Sequence, residues 1–359
     1  MLLYRVLIME KLANLSSVGI YITNVCNLNC DNCRYLNNFA FKGHQRWAEF
    51  ESIYTEWSKK INFVGEIYLL GGEPMSNPDF LIWVHNIARL WPNTSIKINT
   101  NGTMLDRWPT LYNELLPYNG RVWLAISGHN LNIQEQQLML ARQFLKGTVS
   151  ETNKIFAHHT WNKLYSEIRG TSWRECVTPE EYANLPEHIQ HECKHDFNID
   201  INNFYHPTAD LITYIDSNNM RISWSDWTNF IDSAVQHNPE DNTLAITDTE
   251  LDPSEPIRCG DAVFCHTMNR GKLSKCPVVS ILPEFLEQFP VTISEKSLNL
   301  VKNYQPAEHS WSVDHLRNFC DDLSKGQAIE QCRICPSMQN QKFRVIAAGT
   351  KKIKIHKKT

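Results

Sequence analysis

From residue 17 the chain alternates short β-rich runs with longer amphipathic stretches, and that alternation most narrows what it can fold into. "SVGIYIT" (17–23), "EIYLLGG" (66–72), "SIKINTNG" (95–102) and "RVWLAISG" (121–128) read as strands, each running apolar and closing on Gly or a small polar residue. Between them "RWAEFESIYTEWSKKI", "NPDFLIWVHNIARLW" and "NIQEQQLMLARQFLKG" carry helical periodicity. In the second, Asn77 is the expected N-cap and Pro78 the first helical residue. Strands separated by helices of this length must be parallel, because the helix is the crossover. Four β/α units follow, with "NKIFAHHTW" (153–161) and "DLITYIDS" (210–217) as candidate fifth and sixth strands. The expectation is an α/β fold built on an incomplete parallel barrel.

Past residue 236 the character changes. "NPEDNTLAITDTELDPSEP" holds six acidic residues, no basic ones and three prolines, and reads as an extended linker. The organisation expected is a barrel over 1–236, a linker over 237–256, a small turn-rich domain over 257–340 and a tail over 341–359. The small domain holds six of the chain's eleven cysteines. The tail ends "KKIKIHKKT", with five lysines in nine residues, and reads as mobile. A formal net charge of -4 excludes the strong positive field of a dedicated nucleic-acid binder, leaving the tail as the one local basic footprint. The apolar start "MLLYRVLIM" is too short to span a bilayer and lacks a cleavage site, so the expected location is the cytoplasm.

The cysteines cluster at ligand-like spacings. Cys26, Cys30 and Cys33 form C-x3-C-x2-C directly after the first strand. A structural zinc site needs four protein ligands, and no fourth Cys or His stands nearby. Three thiolates on a 4Fe-4S cluster instead leave one iron open to a ligand that is not protein. A second feature, "GGEP" at Gly71, Gly72, Glu73 and Pro74, closes the next strand.

This combination resembles the radical S-adenosylmethionine (SAM) superfamily over about residues 17 to 230. The resemblance implies a partial (β/α)6 barrel whose three cysteines hold a 4Fe-4S cluster, with SAM chelating the open iron. It implies that the glycine turn approaches the SAM ammonium group and that Glu73 adds charge there. Asn101 in "NTNG" and Ser127, each closing a strand, match positions that face the cofactor. Two departures are Asn32, where the family places an aromatic residue, and His129, where it often has Asp. The implied chemistry is reductive cleavage of SAM to a 5'-deoxyadenosyl radical that abstracts hydrogen from a substrate C–H bond. A flavodoxin- or ferredoxin-type donor would supply the electron.

The later cysteines resemble the auxiliary-cluster domains called SPASM and Twitch. Cys259, eleven residues, Gly271, four residues and Cys276 fit their hairpin formula, and Cys332 and Cys335 supply the later C-x2-C. The turn "NRGK" would set Cys265 opposite Cys276. Five cysteines thus compete for four places on an auxiliary 4Fe-4S cluster, with Cys320 a further candidate. Cys176 and Cys193 belong to no motif and read as small core residues. The substrate implied is a peptide undergoing cross-linking, thioether formation or epimerisation. The alternatives are a small sugar- or nucleotide-like metabolite and, in another class, a zinc-ribbon binding module without redox activity. "HECKH" (191–195) matches a zinc-protease motif, but among fourteen histidines it reads as a polar helix. His158 and His159 are candidate proton acceptors on a strand end, and no general acid or base is assigned.

Overall fold

The computed structural model describes residues 15–30, 33–61, 64–128, 133–156, 176–177, 211–225, 229–230, 233–248, 265–324, 329–335, 344–345, 348–349, 353 and 355. The first half of the chain follows the expected alternation. Strand β1 (Leu15–Tyr21) leads through β2 (Asn29–Cys30), a two-residue piece inside the cysteine loop, to helix α1 (Trp47–Lys60) and β3 (Val64–Leu70). Then come α2 (Phe80–Leu90), β4 (Ser95–Thr100), the short α3 (Leu111–Leu115), β5 (Val122–Ser127) and α4 (Gln134–Phe144). Helix α1 starts with Glu49 in its first turn and ends on Lys59 and Lys60, charges that complement the helix dipole. The N-cap of α2 is Asp79, not Asn77. Asn77 closes the preceding 3₁₀ turn, and its Oδ1 accepts the Asp79 N–H at 2.8 Å. An Asx turn therefore competes with the cap and delays the helix.

Strands β6 (Val149–Phe156), β7 (Cys176–Val177), β8 (Leu211–Asp216) and β9 (Arg221–Ser225) extend the sheet, with β10 (Asn229–Phe230) just beyond. Residues 153–156 and 211–216 are strands as expected, but they are not further parallel strands. β8 turns directly into β9 through Ser217–Met220, where Asn219 takes the left-handed conformation. A connection that short permits only antiparallel pairing. β6 then pairs antiparallel with β8, and the strand that continues the parallel array beside β5 is β9.

The acidic stretch is not an extended connector over 237–248. It folds back as β11 (Gln236–Asn238) against β12 (Thr243–Ala245), with Leu244 and Ile246 buried. Residues 249–256 lie outside the described residues. Next come β13 (Cys265–Asn269), β14 (Lys272–Ser274), α5 (Pro277–Gln288), α6 (Glu295–Asn303), α7 (Val313–Ser324), β15 (Arg344–Val345) and β16 (Ala348–Gly349). The β13–β14 hairpin turns at Arg270–Gly271 as expected, both residues having positive φ, which suits the twist of a two-residue hairpin. β13 also pairs parallel with β1, so the ten-stranded sheet runs β14-β13-β1-β3-β4-β5-β9-β8-β6-β7. Six consecutive strands, β13 to β9 in that order, are parallel. This is the mixed α/β architecture of a partial barrel.

One face of the parallel array packs on the helices. Ile20, Leu69, Ile98, Leu124 and Ile222 meet Tyr54, Trp57 and Trp83 of α1 and α2 in a single buried cluster. Burial of each such side chain contributes about 1.5–3 kcal/mol. A second cluster joins Leu36, Phe39 and Phe41, from the segment after the cysteines, to Phe285 of α5 and Phe289, its C-cap. The opposite strand face is mixed. There Gly19, Tyr68, Lys97 and Trp123 stand in one register row, with Arg221 next to Trp123.

Candidate functional site

The cysteine loop leaves the carboxyl end of β1 and is clasped by the glycine turn at the end of β3. Gly72 N–H donates to Thr23 O and Glu73 N–H to Val25 O, both at 2.8 Å. A Cβ on Gly71 would lie 2.6 Å from Thr23 O, and one on Gly72 only 2.4 Å from Val25 O. Both glycines are therefore required by contact with the backbone that carries Cys26. Pro74 opens the 3₁₀ turn Pro74–Ser76, whose Ser76 hydroxyl donates to Val25 O at 3.0 Å.

Glu73 has a different surrounding from the expected one. Its side chain is fully buried and accepts three hydrogen bonds, from Met75 N–H (3.0 Å), Thr100 Oγ1 (2.8 Å) and Asn101 N–H (2.7 Å). Burial pushes its carboxyl up to about 7, with the three donors pulling the other way. The carboxylate ties β3 to β4 inside the protein.

Asn101 faces the cysteine loop. Its Nδ2 donates to Asn27 Oδ1 at 2.8 Å and reaches Cys26 Sγ at 3.9 Å, while its Oδ1 accepts from Thr103. Ser127 ends β5 half-buried. Both strand ends are held by Gln137 of α4, a fully buried residue whose Nε2 donates to Asn101 O (2.6 Å) and Ser127 O (3.2 Å). Gln137 and Thr100 were absent from the sequence-based set. The only available signal for Gln137 was an amide on the face of α4 that also carries Ala141.

Cys26, Cys30 and Cys33 are half-buried on this loop. Among the described residues, no three His, Cys, Asp or Glu side chains converge in a metal-ion geometry. A 4Fe-4S cluster makes a different demand, since its thiolates bind separate irons and need not touch. The donor set fits that group: three accessible thiols on one clasped loop, with the Asn101 amide against the first.

In the later set, Cys276 is the N-cap of α5, followed by Pro277. Helix α6 links it to the last pair. The Tyr304 hydroxyl, just past α6, accepts Lys275 N–H at 2.8 Å, and Leu300 O, one turn earlier, accepts from Gln331 at 3.2 Å. Residues adjoining Cys276 and Cys332 thus meet the same end of one helix. Burial and the neighbouring Cys276 both push the Tyr304 hydroxyl up. Cys335 N–H donates to Cys332 O at 3.0 Å. The hairpin pairing ends at Thr267 opposite Ser274, two residues short of Cys265 on one strand and of Cys276 on the other. Cys320 is half-buried and packs on the helix-side core. Cys259, Cys193, His158, His159 and residues 191–195 lie outside the described residues, as does the side chain of Cys176.

Residues 20–152 resemble a radical SAM domain, matching the family model of the Radical SAM superfamily. Such a domain implies a 4Fe-4S cluster and SAM. The chain is 29% identical over 90 residues to GTP 3',8-cyclase of Campylobacter curvus (strain 525.92), a match spanning 25% of this chain and 28% of the cyclase. The crystal structure of Streptococcus suis SuiB shares 20% identity over 37% of this chain and 31% of its own, with a TM-score of 0.30. That of BtrN in complex with AdoMet and 2-DOIA shares 13% identity over 92% and 95%, with a TM-score of 0.36. These two matches, to the cyclase and to this SuiB structure, span about a third or less of each protein. Among the described residues no helix is long and apolar enough to cross a membrane.

Proposed function

We propose that the protein uses SAM and a 4Fe-4S cluster on Cys26, Cys30 and Cys33 to abstract hydrogen from a peptide substrate. The observation that carries this reading is the clasp of the glycine turn on the cysteine loop, inside the segment that matches the family. Cys26, Cys30 and Cys33 would hold the cluster, which would supply one-electron reduction of SAM, with a flavodoxin- or ferredoxin-type protein as the electron donor. The chain's own residues hold the parts in place. Asn101 orients the Cys26 side of the loop, Gln137 fixes the ends of β4 and β5, and Gly71, Gly72 and Pro74 shape the wall beside the cofactor. In this reading Ser127, at the end of β5, contacts SAM. Glu73 acts from within, keeping the end of β3 against the end of β4.

A second cluster belongs to this proposal, on four of Cys259, Cys265, Cys276, Cys332 and Cys335. The shared contact of their neighbours with the end of α6 supports it. A domain division at about residue 257 is not part of the proposal, because β13 and β14 belong to the same sheet as β1. A peptide is the preferred substrate because this pattern resembles domains common in peptide-modifying members. A small metabolite is the second reading, favoured by the row in which Lys97 lies 5.0 Å from the Tyr68 ring and Arg221 4.0 Å from the Trp123 ring. That row would suit a compact polar substrate with a flat ring.

Anaerobic reconstitution tests the proposal. Two clusters bring about eight irons per chain. Stoichiometric zinc with no iron would establish a zinc-ribbon module instead.

A further inference from the structure

The three cysteines have three different anchors. Cys26 is held on its N-terminal side by the glycine turn, through Thr23 and Val25. Cys33 is held by the turn in which Leu36 N–H donates to Cys33 O at 2.9 Å. Cys30, between them, lies in β2. Its partner is Ala348, and Asn29 pairs with Gly349, in the antiparallel ladder of β2 with β16. The middle cysteine is fixed from the far end of the chain.

That end is itself attached at both sides of the contact. Before it, β15 pairs with β10, setting Val345 opposite Asn229 and Arg344 opposite Phe230, just beyond the end of β9. After it, Ile353 N–H donates to Asn38 O at 3.0 Å, and Ile353 and Ile355 pack half-buried on the cluster that contains Leu36 and Phe39. From Val345 to Ala348 there are three residue steps, at most about 11 Å of chain. The described residues of this end thus pair with β10, which follows β9, and with β2, which follows β1, two strands separated in the sheet by β3, β4 and β5. The expectation of a mobile tail does not hold for these residues.

We infer that the contacts of residues 344–345, 348–349, 353 and 355 strap the Cys30 segment in place, so that the site of the cluster is completed by the C-terminal end of the chain. The inference takes this loop as the cluster site of the proposed function, but its first test needs no cluster. Hydrogen–deuterium exchange of the metal-free full chain, read by mass spectrometry, is compared with two variants: Ile353→Asp/Ile355→Asp, and a chain ending at Lys342. Amides of residues 26–34 should exchange about tenfold faster in both, with β3 and β4 unchanged. Ile353→Val/Ile355→Val should restore the slow exchange. If the shortened chain also loses protection in β3 and β4, it has unfolded, and the aspartate pair decides. Unchanged exchange of 26–34 in the aspartate pair overturns the strap. After reconstitution, the same pair should lose iron to a chelator about tenfold faster than the valine pair, and equal rates would likewise contradict it. Faster exchange in a protein that never cleaves SAM would leave the strap standing and remove the radical reading.

Discussion

The buried carboxylate of Glu73 accepts the backbone N–H of Asn101 at 2.7 Å, joining the turn that clasps the cysteine loop to the residue that touches Cys26. One acidic side chain thus connects two strand ends and, through them, both walls of the site.

Its raised carboxyl gives a pH signature. An acid held near pH 7 in the folded chain and near 4.5 when unfolded binds more protons folded, so stability falls as pH rises from about 4.5 to about 7. The contribution is on the order of 3 kcal/mol across that window. Glu73→Gln should flatten this part of a melting-temperature profile. An identical slope in wild type and variant would remove Glu73 as its source.

Gly72→Ala should be among the most damaging single changes, because its Cβ would sit 2.4 Å from Val25 O, a backbone atom with no room to move. We expect a loss of about 2–4 kcal/mol, together with weaker iron binding at the first three cysteines. Thermal melts and iron analysis on the same preparation would show both. A wild-type melt would mean that the clasp yields.

Gln137→Met removes the amide shared by Asn101 O and Ser127 O at nearly constant volume. A loss of about 1–3 kcal/mol is expected from the two unpaired carbonyls. SAM affinity, measured by calorimetry, should fall with it. Unchanged affinity would detach Ser127 from the cofactor.

These cases show what the sequence made legible. The four leading β/α units could be read because their apolar period is long and their turns are marked by Gly, Asn or Ser. β9 was not singled out because five residues, "RISWS", carry no run long enough to stand apart from the turn before them. The antiparallel course of β8 follows from the length of that turn and not from its own composition. Glu73, Thr100 and Gln137 act through bonds to residues distant in sequence, which no local pattern encodes. The strap was masked by its lysines, whose charge outweighed the isoleucines alternating with them.

If the second cluster accepts an electron from the substrate radical, Cys276→Ala should leave hydrogen abstraction intact and block oxidised product. A deuterated substrate would then still place deuterium in 5'-deoxyadenosine. Unchanged product would make that cluster structural, and loss of both signals with a normal melt would assign Cys276 to substrate binding.

The central claim is most directly tested by the rate of reductive SAM cleavage under anaerobic conditions in the chain with Cys26, Cys30 and Cys33 all replaced by Ala. The account predicts no methionine or 5'-deoxyadenosine above background, while the absorbance of the cluster bound by the later cysteines persists. Cleavage at the wild-type rate would contradict it.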